Sequence, residues 1–233
     1  MLILFDIDGT LLRSERAGIK AMTVAMNEVY PPRHEGDHSD AEAIDSPGWL
    51  DPLIWQALME QRGLEQNQEG HDAFRSAYGR IFNAVIQERN PVHALPGAEA
   101  AVRWVHEHPE FESALLTGNY PETGTLKVEA AGIDSSMFRF GTWGSEAENR
   151  RGLPPIAIDK ALRELGKTIS PQQTVIVGDT PADIDCAHAN GCRCISVATG
   201  HFNSEELASH QPDRIMKDLS NLDEFQDAIS SFA

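Results

Sequence analysis

No apolar run in the 233 residues approaches the roughly 20 that a helical membrane span requires. The apolar start Met1–Phe5 stops at Asp6 with no basic stretch before it, which argues against a signal peptide. Cysteine is scarce: Cys186, Cys192 and Cys194 are odd in number and clustered, as expected of reduced thiols in a cytoplasmic protein rather than of a disulfide framework. A soft-ligand metal site would need more donors than the neighbouring His188 can add. Basic charge is scarcer still relative to acid. Nineteen Lys and Arg face 36 Asp and Glu, a net charge of −17, and no Lys/Arg run concentrates the cations. That balance disfavours nucleic acid and anionic membrane surfaces as partners. It also means that an anionic substrate needs a local cation or metal. Glycine (18) and proline (13) are too few for a disordered chain, and no internal repeat is visible.

Short apolar runs alternate with longer helical patterns, which predicts an α/β fold with a parallel sheet and crossover helices. Strands are expected at Leu2–Phe5, Glu112–Leu116, Phe138–Gly141, Thr174–Val177 and Arg193–Val197. Runs such as Val175-Ile176-Val177 are apolar throughout, as in strands covered on both faces. From about Ser14 to Pro91 the alternation fails, and three helical patterns near 17–29, 52–61 and 72–87 replace it. The expected organisation is therefore an α/β core from residues 1–13 and 92–233 carrying an all-helical insertion, residues 14–91.

Asp6 and Asp8, in Phe5-Asp6-Ile7-Asp8-Gly9-Thr10, follow the first strand with a spacing of two. Period-two geometry starts both carboxylates toward one side, at the strand end where open parallel sheets bind ligands. Two such groups can divide labour, one ionised as nucleophile or metal ligand and the other carrying a proton. Thr117-Gly118-Asn119 ends the second core strand with a hydroxyl, a glycine and an amide, a set suited to phosphoryl oxygens or simply to a turn. In Val177-Gly178-Asp179-Thr180-Pro181-Ala182-Asp183, helix capping accounts for Thr180, Pro181 and part of Asp183. It leaves Asp179 as an acid at the end of an apolar strand, a cost that a divalent cation shared with Asp6 would relieve. Arg150 and Arg151 stand just before a predicted helix, as solvated surface or as phosphate contacts.

These four pieces, in this order, resemble the haloacid dehalogenase superfamily and its phosphoglycolate-phosphatase-like branch. The resemblance runs from Leu2 to about Gly200 and implies a Rossmann-like core with a helical cap at the insertion. Gly48-Trp49-Leu50-Asp51-Pro52 resembles the cap's substrate-facing loop, with Leu50 where that branch usually has Thr. The family commonly has Lys in the basic motif; here Arg150 or Arg151 must serve, with Lys160 too far into the following helix.

The resemblance implies an enzyme that hydrolyses phosphomonoesters of a small phosphorylated metabolite, phosphoglycolate or a sugar phosphate. Asp6 would be the nucleophile that forms an aspartyl-phosphate, and Asp8 the general acid and base. Mg²⁺ would be held by Asp6, the backbone carbonyl of Asp8 and Asp179, with Asp183 in or near the coordination sphere. Thr117, Gly118, Asn119 and an Arg would bind phosphoryl oxygens. Leaving-group preference is expected from Gly48, Asp51 and the cations Arg16 and Lys20, four apart on the first inserted helix. A phosphomutase, a phosphonatase using Lys20, and a non-catalytic phosphate-binding protein remain alternatives, and oligomeric state is open. The polar segment His34–Asp40 reads as a second metal site or as a solvated loop, and His201 as lining the mouth of the site or as plain surface.

Overall fold

The computed structural model describes residues 1–232. Six parallel strands form one sheet in the order β5-β4-β1-β6-β7-β8. They are β1 (Leu2–Phe5), β4 (Glu112–Leu116), β5 (Gly141–Thr142), β6 (Thr174–Gly178), β7 (Arg193–Val197) and β8 (Arg214–Met216). β1, β4 and β6 are buried along their whole length because helices cover both faces. On the sheet lie α4 (Ala98–Glu107), α5 (Pro121–Ala130), α6 (Leu153–Leu165), α7 (Pro181–Ala189), α8 (Ser204–Ser209) and α9 (Leu222–Ser230).

From β1 the chain builds outward through β4 and β5, then crosses to the other side of β1 for β6, β7 and β8. This reversal places a crevice at the carboxyl ends of β1 and β6, where open α/β sheets bind ligands. In register, Phe5 pairs with Val177, so the residues that follow emerge side by side.

A two-stranded antiparallel ribbon, β2 (Leu12–Arg13) with β3 (His93–Ala94), ties together the two segments that lead into and out of a helical stretch. That stretch holds α1 (Ala17–Val29), α2 (Asp51–Gln61) and α3 (Gln68–Glu88). α1 packs along α3 with Ala21, Met22, Ala25 and Met26 against Phe74, Ala77, Tyr78 and Phe82, all buried. Ribbon and β8 are too short, at two and three residues each, to stand out as apolar runs, and neither is anticipated from the sequence pattern. The expected strand at Phe138–Gly141 instead begins at Gly141, because a 3₁₀ turn at Ser135–Met137, capped by Asp134, delays entry into the sheet.

Candidate active site

Three carboxylates meet at the crevice. Asp6 follows β1, Asp179 follows β6, and Asp183 stands in the first turn of α7. One oxygen from each lies within 4.8 Å of the others, and all three side chains are buried. The sequence dictates this locally. Thr180 and Asp183 cap α7 reciprocally: Asp183 Oδ2 accepts from Thr180 N at 3.0 Å and from Thr180 Oγ1 at 2.7 Å. Asp179 Oδ1 accepts from Thr10 Oγ1 at 3.0 Å. Gly9 adopts φ +85°, and a side chain there would run into the Asp179 carboxylate, so glycine is required twice over.

Among the described residues, one cation, Arg150, enters the acidic cluster. Arg150 Nη2 lies 2.9 Å from Asp6 Oδ1 and 2.5 Å from Asp183 Oδ1, with Nε 3.1 Å from the same Asp183 oxygen. The 3₁₀ turn Arg150–Gly152 ahead of α6 separates the adjacent arginines. Arg150 is turned inward and buried, whereas Arg151 points out to pair with Asp185 at 2.7 Å and does not line the crevice. Lys160 lies away from the carboxylates, donating to the Gly141 carbonyl at 2.6 Å and pairing with Glu146 at 2.7 Å.

The end of β4 supplies the opposite wall. Asn119 Nδ2 donates to Thr117 Oγ1 and to Asp8 Oδ2, both at 2.8 Å. The Asp8 side chain thus leaves the three-acid cluster and turns toward β4. There it meets Lys127 of α5, whose Nζ lies 2.6 Å from Asp8 Oδ2 and 2.6 Å from Asn119 Oδ1. Lys127 is not among the residues that the sequence motifs single out. The available signal was helical phase, since it shares the buried face of α5 with Thr123, Gly124 and Val128, where a lysine needs an anion.

The helical stretch reaches this site through the loop before α2. Asp51 N donates to the Gly118 carbonyl at 2.7 Å, and Asp51 Oδ2 accepts from Tyr120 N at 2.9 Å. Gly48 gives its carbonyl to Arg150 Nη1 at 3.2 Å. At Gly118 a side chain would strike the Trp49 carbonyl, so the loop can lie this close only over glycine. Between loop and strand ends is a cavity of about 790 Å³, lined by Asp6, Asp8, Thr117, Lys127, Arg150 and Asp179 on one side. Ile19, Met22, Ile44, Trp49 and Ile54 line it on the other, and His201 reaches its wall.

The expected Arg16/Lys20 face does not form. Arg16 precedes α1 in a left-handed conformation (φ 62°) and pairs with Glu42 at 3.2 Å on the cavity rim, while Lys20 is exposed and outside the cavity. In the His34–Asp40 segment no cluster of metal-ligating side chains forms among the described residues. Its Asp37 is claimed by Arg33 at 2.8 Å and by the buried Arg62 at 3.1 Å.

Burial sets the electrostatics. Desolvation pushes the Asp6 carboxyl up to about 7 and Asp179 well above the carboxylate range, with Arg150 and, for Asp179, the Thr10 hydroxyl working against it. Asp51, enclosed at the loop, is likewise pushed up to about 7 by desolvation. Three buried acids sharing one guanidinium remain short of positive charge when ionised. Asp183 spends both oxygens on Arg150 and Thr180, but Asp6 and Asp179 keep lone pairs free. Such a set of hard oxygen donors fits a divalent cation of the Mg²⁺ type better than Zn²⁺.

The family model for haloacid dehalogenase-like hydrolases matches residues 1–191. Among curated proteins, the chain is 26% identical over 220 residues to pyrophosphatase PpaX of Anoxybacillus flavithermus, covering 94% of each. It is 26% identical over 224 residues to a phosphoglycolate phosphatase of Vibrio cholerae, covering 95% of this chain and 94% of the relative. Among solved structures, a predicted phosphoglycolate phosphatase from Haemophilus somnus superposes with a TM-score of 0.70 at 21% identity over 97% of each chain, which shows a common fold.

Proposed function

The chain belongs to the haloacid dehalogenase-like hydrolases and is a phosphatase of that type, and from this premise we propose that it is a Mg²⁺-dependent phosphomonoesterase for a small phosphorylated metabolite. The observation that carries the reading is the buried set Asp6, Asp179 and Asp183 around Arg150 at the ends of β1 and β6, with Asp8 just outside it. In this reading residues 14–91 are a cap over a core of residues 1–13 and 92–233. The ribbon β2–β3 is the joint between them.

Asp6 attacks phosphorus as the ester P–O bond breaks, forming an aspartyl-phosphate, and Asp8 gives its proton to the departing alkoxide. Asp8 then takes a proton from the water that attacks phosphorus, and the bond to Asp6 breaks to release phosphate. An anion approaching an anion at 4 Å meets a repulsion of about 4 kcal/mol at an effective dielectric of 20. Arg150 offsets part of that from its place beside Asp6. A Mg²⁺ held by Asp6 and Asp179, with Asp183 behind them, would supply the remaining positive charge. Thr117 and the backbone N–H groups of Gly118 and Asn119 hold phosphoryl oxygens at the end of β4, the Asn119 side chain being spent on Thr117, Asp8 and Lys127, and Arg151 takes no part. The loop Gly48–Asp51 closes over the reacting group and excludes bulk water, and Arg16 at the rim faces the leaving group. A phosphonatase reading loses its lysine, because Lys20 lies in solvent away from the cavity.

The relatives named for pyrophosphate and for phosphoglycolate share the phosphoryl group and differ in what leaves. A colorimetric screen of phosphomonoesters and pyrophosphate, with Mg²⁺ and with excess chelator, tests the reading. Release of phosphate by the wild type with Mg²⁺, and none in chelator or from Asp6→Asn, is the expected result. Equal release in chelator would remove the metal from the account.

A further inference from the structure

We propose that Lys127 is a positioning residue for Asp8: it anchors one carboxylate oxygen so that the other is the one that exchanges protons with leaving group and water. This rests on the phosphatase reading above. The two oxygens of Asp8 are unequally engaged. Oδ2 receives Lys127 Nζ at 2.6 Å and Asn119 Nδ2 at 2.8 Å, while Oδ1 has only a long contact from Ser14 Oγ at 3.5 Å. Both strong donors are themselves fixed. Asn119 is clamped between Thr117 Oγ1 and Lys127, and the Lys127 side chain is 6% exposed. The Asp8 side chain itself is 41% exposed. Without these donors the carboxylate would be free to rotate among poses, because the terminal torsion of an aspartate is soft.

The enclosure of Lys127 explains why it can hold this position. Its stem lies against Gly18 of α1, and its ammonium stands 6.0 Å from the centre of the Phe82 ring of α3. α5 therefore delivers the cation from the core, while the roof that keeps water from it comes from the helical stretch. The ammonium lies at the cavity wall with Asp8 and Asn119 as its hydrogen-bond partners. Its action on substrate runs through Asp8, whose Oδ1 is left with only the long Ser14 contact.

The test compares Lys127→Met, Lys127→Arg, Asp8→Asn and the double variant Lys127→Met/Asp8→Asn. The substrates are the best alkyl phosphomonoester of the screen and 4-nitrophenyl phosphate, whose leaving group needs little protonation. General acid–base catalysis contributes typically 10²–10⁴-fold. Lys127→Met is therefore expected to lower kcat/KM, which reports formation of the aspartyl-phosphate, about 10²-fold for the alkyl ester and less than about tenfold for the aryl ester, with KM little changed. Lys127→Arg should recover part of the loss, and the double variant should be no slower than Asp8→Asn alone. Equal losses on both esters, a rise in KM as the main effect, or additive losses in the double variant would overturn the proposal. A wild type inactive on every ester would instead sink the phosphatase reading. A crystal structure of Lys127→Met gives a readout independent of turnover. The Asp8 carboxylate should be rotated or split between poses, and an unchanged carboxylate would contradict the role.

Discussion

Arg150 reaches Asp6 at 2.9 Å through the same Nη2 that contacts Asp183 at 2.5 Å, so one guanidinium bridges a strand-end acid and a helix-capping acid. Its neighbour Arg151 spends its charge on Asp185 in solvent. The pair invites a comparison. Arg150→Lys keeps the charge but loses the fork that spans both acids, and kcat should fall about 10²-fold, as for loss of one preorganised donor. Arg151→Ala should leave kcat/KM and Tm near wild type, since exposed pairs contribute little. Steady-state kinetics on both variants decides this, and a larger loss for Arg151→Ala would move the basic position there.

Asp51 makes stability depend on pH in a definite direction. Its folded pKa of about 7 lies above the ordinary value near 4, with desolvation outweighing Lys127 and the Tyr120 N–H. The folded chain therefore holds the proton more tightly than the unfolded one. The stabilisation is full below about pH 4 and is lost as pH rises through about 7. Asp51→Asn can still accept from Tyr120 N and carries no charge to bury. Its Tm relative to wild type should rise steadily between about pH 4 and 7, for an effect on the order of 1–4 kcal/mol. Thermal melts across that range, in chelator, check it. A difference independent of pH would show that Asp51 is ionised throughout.

Gly118 tests whether the 48–51 loop docks as the geometry requires. Gly118→Ala would place a methyl against the Trp49 carbonyl and push the loop from the β4 end. The Asp51 N–H to Gly118 carbonyl bond would be lost with it. The expected outcome is a fall in kcat/KM of at least about tenfold, with faster limited proteolysis between residues 31 and 47. An unaltered cleavage rate would mean that the loop does not depend on this contact.

Much of this was legible in the sequence, for identifiable reasons. β1 and β6 announce themselves because strands covered on both faces are apolar throughout, and Asp6 and Asp179 mark their ends because an acid there is costly without a purpose. The 1–191 family match agrees with motifs read from those few positions. What escaped depends on contacts distant in the chain or on a single backbone torsion. Adjacent arginines look alike until a 3₁₀ turn sends them opposite ways. Arg16 and Lys20 share a helical spacing, but Arg16 lies outside the helix in a left-handed conformation. Lys127 resembles a surface lysine until Asp8, 119 positions earlier, is brought to it.

Trapping the enzyme during turnover by acid quench and mapping the phosphoryl group by mass spectrometry tests the covalent role of Asp6 itself. A hydroxylamine-labile adduct is expected on the peptide containing Asp6 and absent from Asp6→Asn, which should be folded and inactive. An adduct on another residue, or normal turnover by Asp6→Asn, would contradict that role.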